Sequence, residues 1–169
     1  MATDTIYLGN PLLKKANVAQ EFTAEQVEEF IKCKEDPIYF ASNYIKIVSL
    51  DEGLTQFKPY DFQEKLIKRF HDHRFNICKM PRQTGKSTTS VSYLLHYAVF
   101  NDNVNIGILA NKAATARDLL GRLQTAYENL PKWMQQGIIS WNKGSLELEN
   151  GSKILAASTS ASAVRGMSF

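Results

Sequence analysis

The sequence predicts an α/β fold in which a parallel sheet carries helices on both faces. The main support is a repeated strand–helix unit. An extended run at residues 75–78 precedes a helical pattern at 88–100, and a buried strand at 104–110 precedes a second helix at 113–130. In the helical runs, apolar residues recur at helical spacing. Strands that alternate with helices are typical of parallel sheets, because a crossover helix returns each strand to the same direction.

The composition excludes several classes of protein. Hydrophobic residues make up 44% and charged residues 22% of the chain, which indicates a globular protein and argues against disorder. The net charge of +3 is too small to identify a nucleic-acid partner by itself. No apolar run reaches the roughly 20 residues of a membrane span, and no leader-like segment begins the chain, so we expect an intracellular protein.

The two cysteines and two tryptophans are predicted to be structural. Cys33 and Cys78 lie far apart without a second pair, which favours two buried thiols in a reducing compartment over a metal site or a disulfide framework. Trp133 and Trp141 show no spacing typical of catalysis, and we expect them to be packing residues.

Two helix-start signals define a small lead-in before the α/β part. Thr23 and Gln26 form a capping-box pattern, and Asp36 followed by Pro37 combines a capping side chain with a proline at the first helical position. The pattern breaks around Asp51. The chain therefore divides into three predicted parts: an extended N-terminal arm (1–22), a helical lead-in (23–55) and the α/β domain (56–169).

Two further elements are predicted by periodicity. After Pro59, apolar residues from Phe62 to Phe70 recur at helical spacing, which predicts an amphipathic helix. Near the end of the chain the period changes to two on either side of Asn150 and Gly151. That dipeptide supplies the positive φ angles of a two-residue turn and predicts a β-hairpin.

The segment 80–87 contains the residue types that are most indicative of a binding site. Gly85, Lys86 and Ser87 lie between the predicted strand and the predicted helix. Backbone N–H groups at a helix start can bind phosphate oxygens, a lysine can reach the β- and γ-phosphates, and a hydroxyl can ligate Mg²⁺. Met80 stands where the usual phosphate-loop pattern has its first glycine, so the loop is a variant. A simple helix cap is the alternative interpretation, but the surrounding strand and helix favour a nucleotide phosphate site.

Three other positions are candidates on residue type alone. Arg82 in the loop could stabilise charge on a phosphate, or be a solvated surface arginine. Phe62 and Gln63 could stack on and hydrogen-bond to an adenine, although Phe62 also fits the core face of its helix. Arg165 beside a glycine could be a movable cation or an ordinary surface residue.

Five short segments, taken together and in order, resemble a known family. The chain is similar to the N-terminal ATPase domain of the large terminase subunit of tailed bacteriophages, most closely that of T4-like phages, from about Pro11 to Phe169. The matching segments are 60–63, 82–87, 107–112, 141–145 and 163–166.

The resemblance implies a P-loop NTPase fold of the additional-strand, RecA-like type, with 56–169 forming part of the ATPase domain. It implies ATP and Mg²⁺ as cofactors, Gln63 as the adenine-recognition residue, Arg82 as a γ-phosphate sensor, Ser87 as the Mg²⁺ ligand and Arg165 as an arginine finger. The implied catalytic residues are Arg82, Lys86 and Arg165. The implied nucleotide-binding residues are Phe62, Gln63, Arg82, Gln83, Thr84, Gly85, Lys86, Ser87 and Thr88.

The resemblance also implies a motor. Such a protein hydrolyses ATP to translocate double-stranded DNA into the capsid and cuts it with a C-terminal nuclease. Its expected partners are the DNA, the portal protein and the small terminase subunit, in a homo-oligomeric ring docked on the procapsid in the host cytoplasm. The Walker B acids of the family would follow Arg165, beyond the last residue here. The fragment is therefore expected to bind nucleotide without turnover.

Two alternatives remain at this point. A helicase-like P-loop ATPase also combines an upstream glutamine with a phosphate loop, although helicases usually open that loop with Gly or Ala rather than Met80-Pro81-Arg82-Gln83. A regulatory module that binds nucleotide without hydrolysing it is the second alternative, favoured by the missing acids.

Overall fold

The computed structural model describes residues 5–49 and 53–159, which contain five helices and eight strands in three small sheets. In chain order the elements are β1 (Ile6–Tyr7), β2 (Asn10–Lys14), α1 (Ala24–Glu35), α2 (Pro37–Tyr44), β3 (Lys46–Ser49), β4 (Gly53–Gln56), α3 (Asp61–Asp72), α4 (Lys86–Phe100), β5 (Asn105–Ala110), α5 (Ala113–Glu128), β6 (Ile138–Trp141), β7 (Ser145–Leu148) and β8 (Lys153–Ser158).

The N-terminal segment, predicted as an extended arm, forms the antiparallel hairpin β1–β2. It packs against the rest of the protein: Leu13 is buried, and the Lys14 N–H donates to Gln135 Oε1 at 3.0 Å. Gln135 Nε2 donates in return to the carbonyl oxygen of Leu12 at 3.0 Å. A single buried glutamine therefore forms hydrogen bonds with two backbone groups of the hairpin.

The lead-in helices begin where their capping residues predict. Thr23 Oγ1 accepts from the N–H of Gln26 at 3.2 Å, and Gln26 Oε1 accepts from the N–H of Thr23 at 3.1 Å, which completes the capping box of α1. Asp36 Oδ1 accepts from the N–H groups of Ile38 and Tyr39 at the start of α2. Both predicted helix starts are confirmed, because capping depends on residues adjacent in the chain.

The helices α3, α4 and α5 confirm the helical predictions for the α/β part. The hairpin β3–β4 was not predicted; its strands pair from Lys46 with Gln56 to Ser49 with Gly53, around residues outside the described part. None of the helices in residues 5–49 and 53–159 combines the length and the apolarity that a membrane span requires.

The main sheet is mixed, so the prediction of a parallel sheet is wrong for the described residues. Its strand order is β5-β8-β7-β6, with β5 and β8 parallel and the other two pairs antiparallel. Strands β6, β7 and β8 follow one another through short turns, and a short turn can join only antiparallel neighbours. The α/β class holds, since α5 packs on β5 and β8.

One face of this sheet is buried and the other is partly open. Paired residues Ile106 with Ile154 and Ile108 with Ala156 point to the buried face. On the opposite face Leu109 is 43% exposed. In the described part of the chain, helices therefore cover one face of the sheet, and the prediction of helices on both faces is wrong there.

The predicted strand at residues 75–78 is also wrong. This segment has no regular secondary structure, and Phe75 and Ile77 are 83% and 101% exposed. A strand is stable only when its N–H and C=O groups pair with a neighbouring strand, and no described strand pairs with this run. Cys78 is consequently exposed, while Cys33 is buried, so the expectation of two buried thiols is correct only for Cys33.

The β7–β8 hairpin is present, but its turn has three residues instead of two. The N–H of Leu148 donates to the carbonyl of Ser152, and Gly151 has a φ of +81° whereas Asn150 has no positive φ. The Asn150 side chain is used elsewhere: its Nδ2 donates to the carbonyls of Ala98 and Asn101 at the end of α4. This tertiary contact explains why the turn departs from the predicted type.

A continuous hydrophobic core connects the lead-in helices with the sheet. At one end Phe40 and Phe100 pack with ring centroids 5.3 Å apart. At the other end Trp141 packs on the buried Tyr127 with centroids 5.6 Å apart. Trp133 packs on Tyr44, which itself stacks on Phe40, and both tryptophans are thereby confirmed as packing residues. The largest fully buried side chains are Leu13, Phe40, Ile45, Ile67, Leu95, Leu120, Leu123, Tyr127, Met134, Ile138, Leu146 and Leu148.

Candidate functional site

The loop before α4 leads directly into the first turn of the helix. Gly85 is the N-cap, with a φ of +73°, and offers no side chain to cap the helix. The first helical bond runs from the N–H of Thr89 to the carbonyl of Gly85 at 2.9 Å. The N–H groups of residues 86–88 therefore precede the helical ladder, where the helix dipole favours a negatively charged ligand.

The Lys86 ammonium lies against the carbonyl oxygens of its own loop. Its Nζ donates to Met80 O at 3.2 Å and to Pro81 O. Thr84 Oγ1 also donates to Pro81 O, at 3.1 Å. The loop is thus folded around the lysine, and no carboxylate of the described residues forms an ion pair with Lys86.

Gln63 joins the loop to the start of α3. Its Oε1 accepts from the N–H of Tyr60 at 3.0 Å, and its Nε2 donates to the carbonyl of Thr84 at 3.2 Å. The side chain is buried, with 4% of its surface exposed. A Cβ added to Gly85 would lie 2.4 Å from Gln63 Nε2, so the loop backbone passes directly against this amide and leaves room only for glycine.

Two exposed aromatic rings lie next to Gln63 in the sequence. Tyr60 and Phe62 are stacked, with centroids 5.8 Å apart and planes 10° apart, and are 69% and 44% exposed. Phe62 is therefore not on the core face of α3, which carries the buried Ile67. Phe62 lines an open cavity of about 660 Å³ together with Leu66, Arg69, Phe75 and others.

The remaining predicted residues of the loop differ in exposure. Arg82, Gln83 and Ser87 are exposed, and Thr88 is half-buried. Gln83 adopts a φ of +61° and, with Thr88, lines a second cavity of about 580 Å³ between β3, α4 and α5. Arg165 lies outside the described residues.

The structure adds two residues that had not been singled out as site residues. Thr89 is fully buried, and its Oγ1 donates to Gly85 O at 3.0 Å, which fixes the junction between loop and helix. Tyr60 supplies the N–H that orients Gln63. Thr89 could have been suspected from its position one turn after the N-cap, but the contribution of Tyr60 is a backbone group and has no signal in the sequence.

Basic residues are concentrated around the site. Residues 58–86 contain eight Lys and Arg residues and three Asp and Glu residues, so this stretch has a larger positive charge than the whole chain, whose net charge is +3. The excess lies outside α3, whose three basic and three acidic residues balance. It comes from Lys58 before that helix, Arg74 and Lys79 in the following exposed segment, and Arg82 and Lys86 in the loop. Such a concentration attracts anionic ligands.

A comparison with known protein families matches residues 77–169 to the family described as terminase large subunit, T4likevirus-type, N-terminal. The matched segment is more than half of the chain and includes the loop, α4, β5, α5 and the whole main sheet. It begins after α3, so Gln63 and Phe62 lie outside the match. The resemblance inferred from five short segments is thereby confirmed, and the chain belongs to the T4-like terminase large subunit family, of which it represents the N-terminal part.

Proposed function

We propose that this chain is the ATP-binding part of a phage DNA-packaging terminase, with the loop 80–87 as the site of the nucleotide phosphates. The observation that carries the proposal is the position of Lys86. Its ammonium and the free N–H groups of the first turn of α4 occur at one loop, inside the segment that the family match covers. A cation and a helix N-terminus at the same point suit a polyphosphate.

The local chemistry fits a phosphate ligand. The ammonium of Lys86 is held by neutral carbonyl groups and not by a carboxylate. A phosphate that binds there would replace these hydrogen bonds with a stronger, charge-assisted one. The glycine at position 85 lets the loop backbone pass directly against Gln63, where a side chain would collide. Exposed Arg82 would add a second cation, and Gln83, Thr84 and half-buried Thr88 would border the phosphates.

Mg²⁺ would be held by Ser87, whose hydroxyl is exposed at the first turn of α4. In that position the ion would neutralise negative charge on the β- and γ-phosphates of ATP. Phe62 and Gln63 border the same loop from α3. By analogy with the family, Arg165 is proposed as the arginine finger, a further positive charge that would act on the phosphates.

The wider proposal follows the family. The chain would adopt the additional-strand, RecA-like P-loop fold, and the terminase would hydrolyse ATP to drive double-stranded DNA into the capsid and cut it with a C-terminal nuclease. Portal protein, small terminase subunit and further copies of the large subunit in a ring on the procapsid are the proposed partners, in the host cytoplasm.

Substitution of Lys86 tests the phosphate site. We expect Lys86→Ala to weaken binding of a fluorescent ATP analogue with Mg²⁺ by about 10- to 100-fold, the effect of losing one charge-assisted contact. Lys112→Ala is the matched control, because Lys112 is the N-cap of α5 and carries the same charge at another helix start. A folded wild-type protein without saturable binding, or equal affinities of the two variants, would contradict the proposal.

A further inference from the structure

We propose that the N-terminal hairpin is a detachable strap on the edge of the main sheet, and that the carboxylate of Glu149 is the latch that holds it closed. The strap comprises residues 5–17, which contain β1, β2 and the turn after them. The inference does not depend on the proposed nucleotide site, because no residue assigned to that site belongs to the strap.

The strap lies beside the outer strand of the main sheet. In the order β5-β8-β7-β6, strand β6 is at the edge. Lys15 forms a parallel bridge with Ile138, the first residue of β6, and the N–H of Ala16 donates to the carbonyl of Ile138 at 3.3 Å. An edge strand has backbone groups with which a strand of another chain can pair. The closed strap occupies the beginning of this edge.

The strap buries little apolar surface. Leu13 is buried and Tyr7 is half-buried, whereas Leu8 and Leu12 are exposed. A two-stranded hairpin has at most marginal stability by itself. The closed position of the strap therefore depends strongly on its polar contacts with the rest of the chain.

The carboxylate of Glu149 bonds to both sides of the contact. Its Oε1 accepts from the N–H of Gly137 at 2.6 Å, just before β6, and its Oε2 accepts from the N–H of Asn17 at 2.9 Å, at the end of the strap. Lys14 Nζ lies 3.7 Å from Glu149 Oε1. Hydrogen bonds to an ionised carboxylate are stronger than those between neutral groups, such as the bonds that Gln135 forms with the middle of the strap. Glu149 is therefore the strongest polar attachment of the strap.

The strap backbone passes directly against Gly137. A Cβ at this position would lie 2.5 Å from the Cα of Ala16 and 2.6 Å from Glu149 Oε2. The absence of a side chain thus lets the strap and the latch approach the sheet together. Any side chain at position 137 would push the strap away from β6.

The strap ends where the chain can bend. Asn17 has a φ of +61°, and residues 18–23 have no regular secondary structure before α1 begins at Ala24. Segments that bury few apolar contacts open locally at low free-energy cost. The strap can therefore leave the sheet without displacing α1, and its departure would expose Leu13 and the beginning of the β6 edge.

Amide hydrogen exchange of the whole chain tests the latch. Glu149→Gln removes the charge of the latch, so we expect exchange at residues 15–17 to be about 10- to 100-fold faster. Glu147→Gln is the matched control, because Glu147 is on β7 and its ion pair is at the surface. Exchange at the N–H of Ala156, inside the sheet, should stay unchanged in both variants. Unchanged exchange at residues 15–17 in Glu149→Gln, or equal acceleration at Ala156, would overturn the latch.

A second variant opens the strap from the side of the sheet. Gly137→Ala leaves the carboxylate in place but puts a methyl group against Ala16, and the φ of Gly137 is not positive, so alanine fits the backbone. We expect faster exchange at residues 15–17, as in the first variant. Gly144→Ala, where a Cβ meets nothing within 4 Å, should exchange as the wild type does. Wild-type exchange at residues 15–17 in Gly137→Ala would show that the strap is not held against the sheet as proposed.

The role of the strap at the edge is tested by self-association, because every copy of the chain has the same β6 edge. The two variants with an open strap should associate at lower protein concentration than the two control variants, measured by size-exclusion chromatography with light scattering. Faster exchange in the strap without increased association would show that the strap does not protect this edge.

Discussion

His96 lies buried on α4 between the rings of Phe40 and Phe100, whose centroids are 5.5 and 4.9 Å from its own. Its Nε2 is 2.8 Å from the carbonyl oxygen of Cys33. Burial is the main cause that lowers the pKa of His96 to about 4; the hydrogen bond to the Cys33 carbonyl opposes this shift, and the nearby His71 adds to it. The imidazole is therefore neutral in the folded protein at pH 7.

The depressed pKa of His96 predicts loss of stability in acid. The unfolded chain takes up a proton near pH 6.5, whereas the folded chain does so only near pH 4, so stability is complete above pH 6.5 and is lost as the pH falls to about 4. Relative to His96→Gln, the wild type should lose up to about 3 kcal/mol of unfolding free energy over this range, measured by urea denaturation. Parallel pH profiles for the two proteins would contradict the prediction.

At the scale of single residues, the sequence indicates which residues form the loop better than it indicates what their side chains contact. The types of Gly85, Lys86 and Ser87 indicate their loop directly, and the structure places them at the start of a helix as expected. The packing of Gln63 against Thr84 could not be predicted, because it joins two segments 21 residues apart. The exposure of Cys78 could not be predicted either, since it follows from a strand that does not form.

At the scale of elements, the turn between β7 and β8 depends on a single backbone conformation. Gly151 has a φ of +81°, which residues with a side chain rarely adopt, and a Cβ there would lie 2.2 Å from Asn103 Oδ1. Ser152 and Asn150 then connect the turn to the carbonyl of Asn101 at the end of α4. The turn therefore holds the sheet to that helix as well as closing the hairpin.

Gly151→Ala should destabilise the protein by about 1–2 kcal/mol, because the left-handed conformation is strained for alanine and the new methyl group meets Asn103. Gly144→Ala is the matched control, since a Cβ there meets nothing within 4 Å and its φ is not positive. We expect a change within about 0.5 kcal/mol for the control. Equal midpoints of chemical denaturation for the two variants would exclude the proposed strain.

Helices were more predictable than strands for a physical reason. Capping residues such as Thr23 and Asp36 act on neighbours within one turn, so their signal is local. The strands β3 and β6 were missed and residues 75–78 were overpredicted, because a strand depends on a partner distant in sequence. The mixed strand directions of the main sheet were missed for the same reason, since they too depend on which distant strands pair.

At the scale of the whole molecule, the lead-in helices and the sheet share one hydrophobic core. Phe40 from α2 is fully buried against Tyr44, His96 and Phe100, and the same core continues to Leu148 and Ile154 in the sheet. We therefore expect residues 23–55 and the α/β part to unfold together.

Phe40→Ala should lower stability by about 3–5 kcal/mol, as is usual when a buried ring is removed. The chain has two tryptophans, so Trp133→Phe leaves Trp141 as a fluorescent probe near α5, and Trp141→Phe leaves Trp133 as a probe near α2. Thermal unfolding followed by either probe should shift to the same lower midpoint. Phe75→Ala, at a site 83% exposed, should leave both midpoints nearly unchanged. A shift seen only by Trp133 would mean that the two parts unfold separately.

Helix α4 spans fifteen residues, about 22 Å at 1.5 Å per residue, and its two ends have different surroundings. Its first residue is Lys86, and its last, Phe100, is wedged between the rings of Phe30 and Phe40. A helix of this length moves as one rigid element. A displacement at the lysine end would therefore reach Phe30 and Phe40 in α1 and α2 and, through Asn150 and Ser152, the turn between β7 and β8.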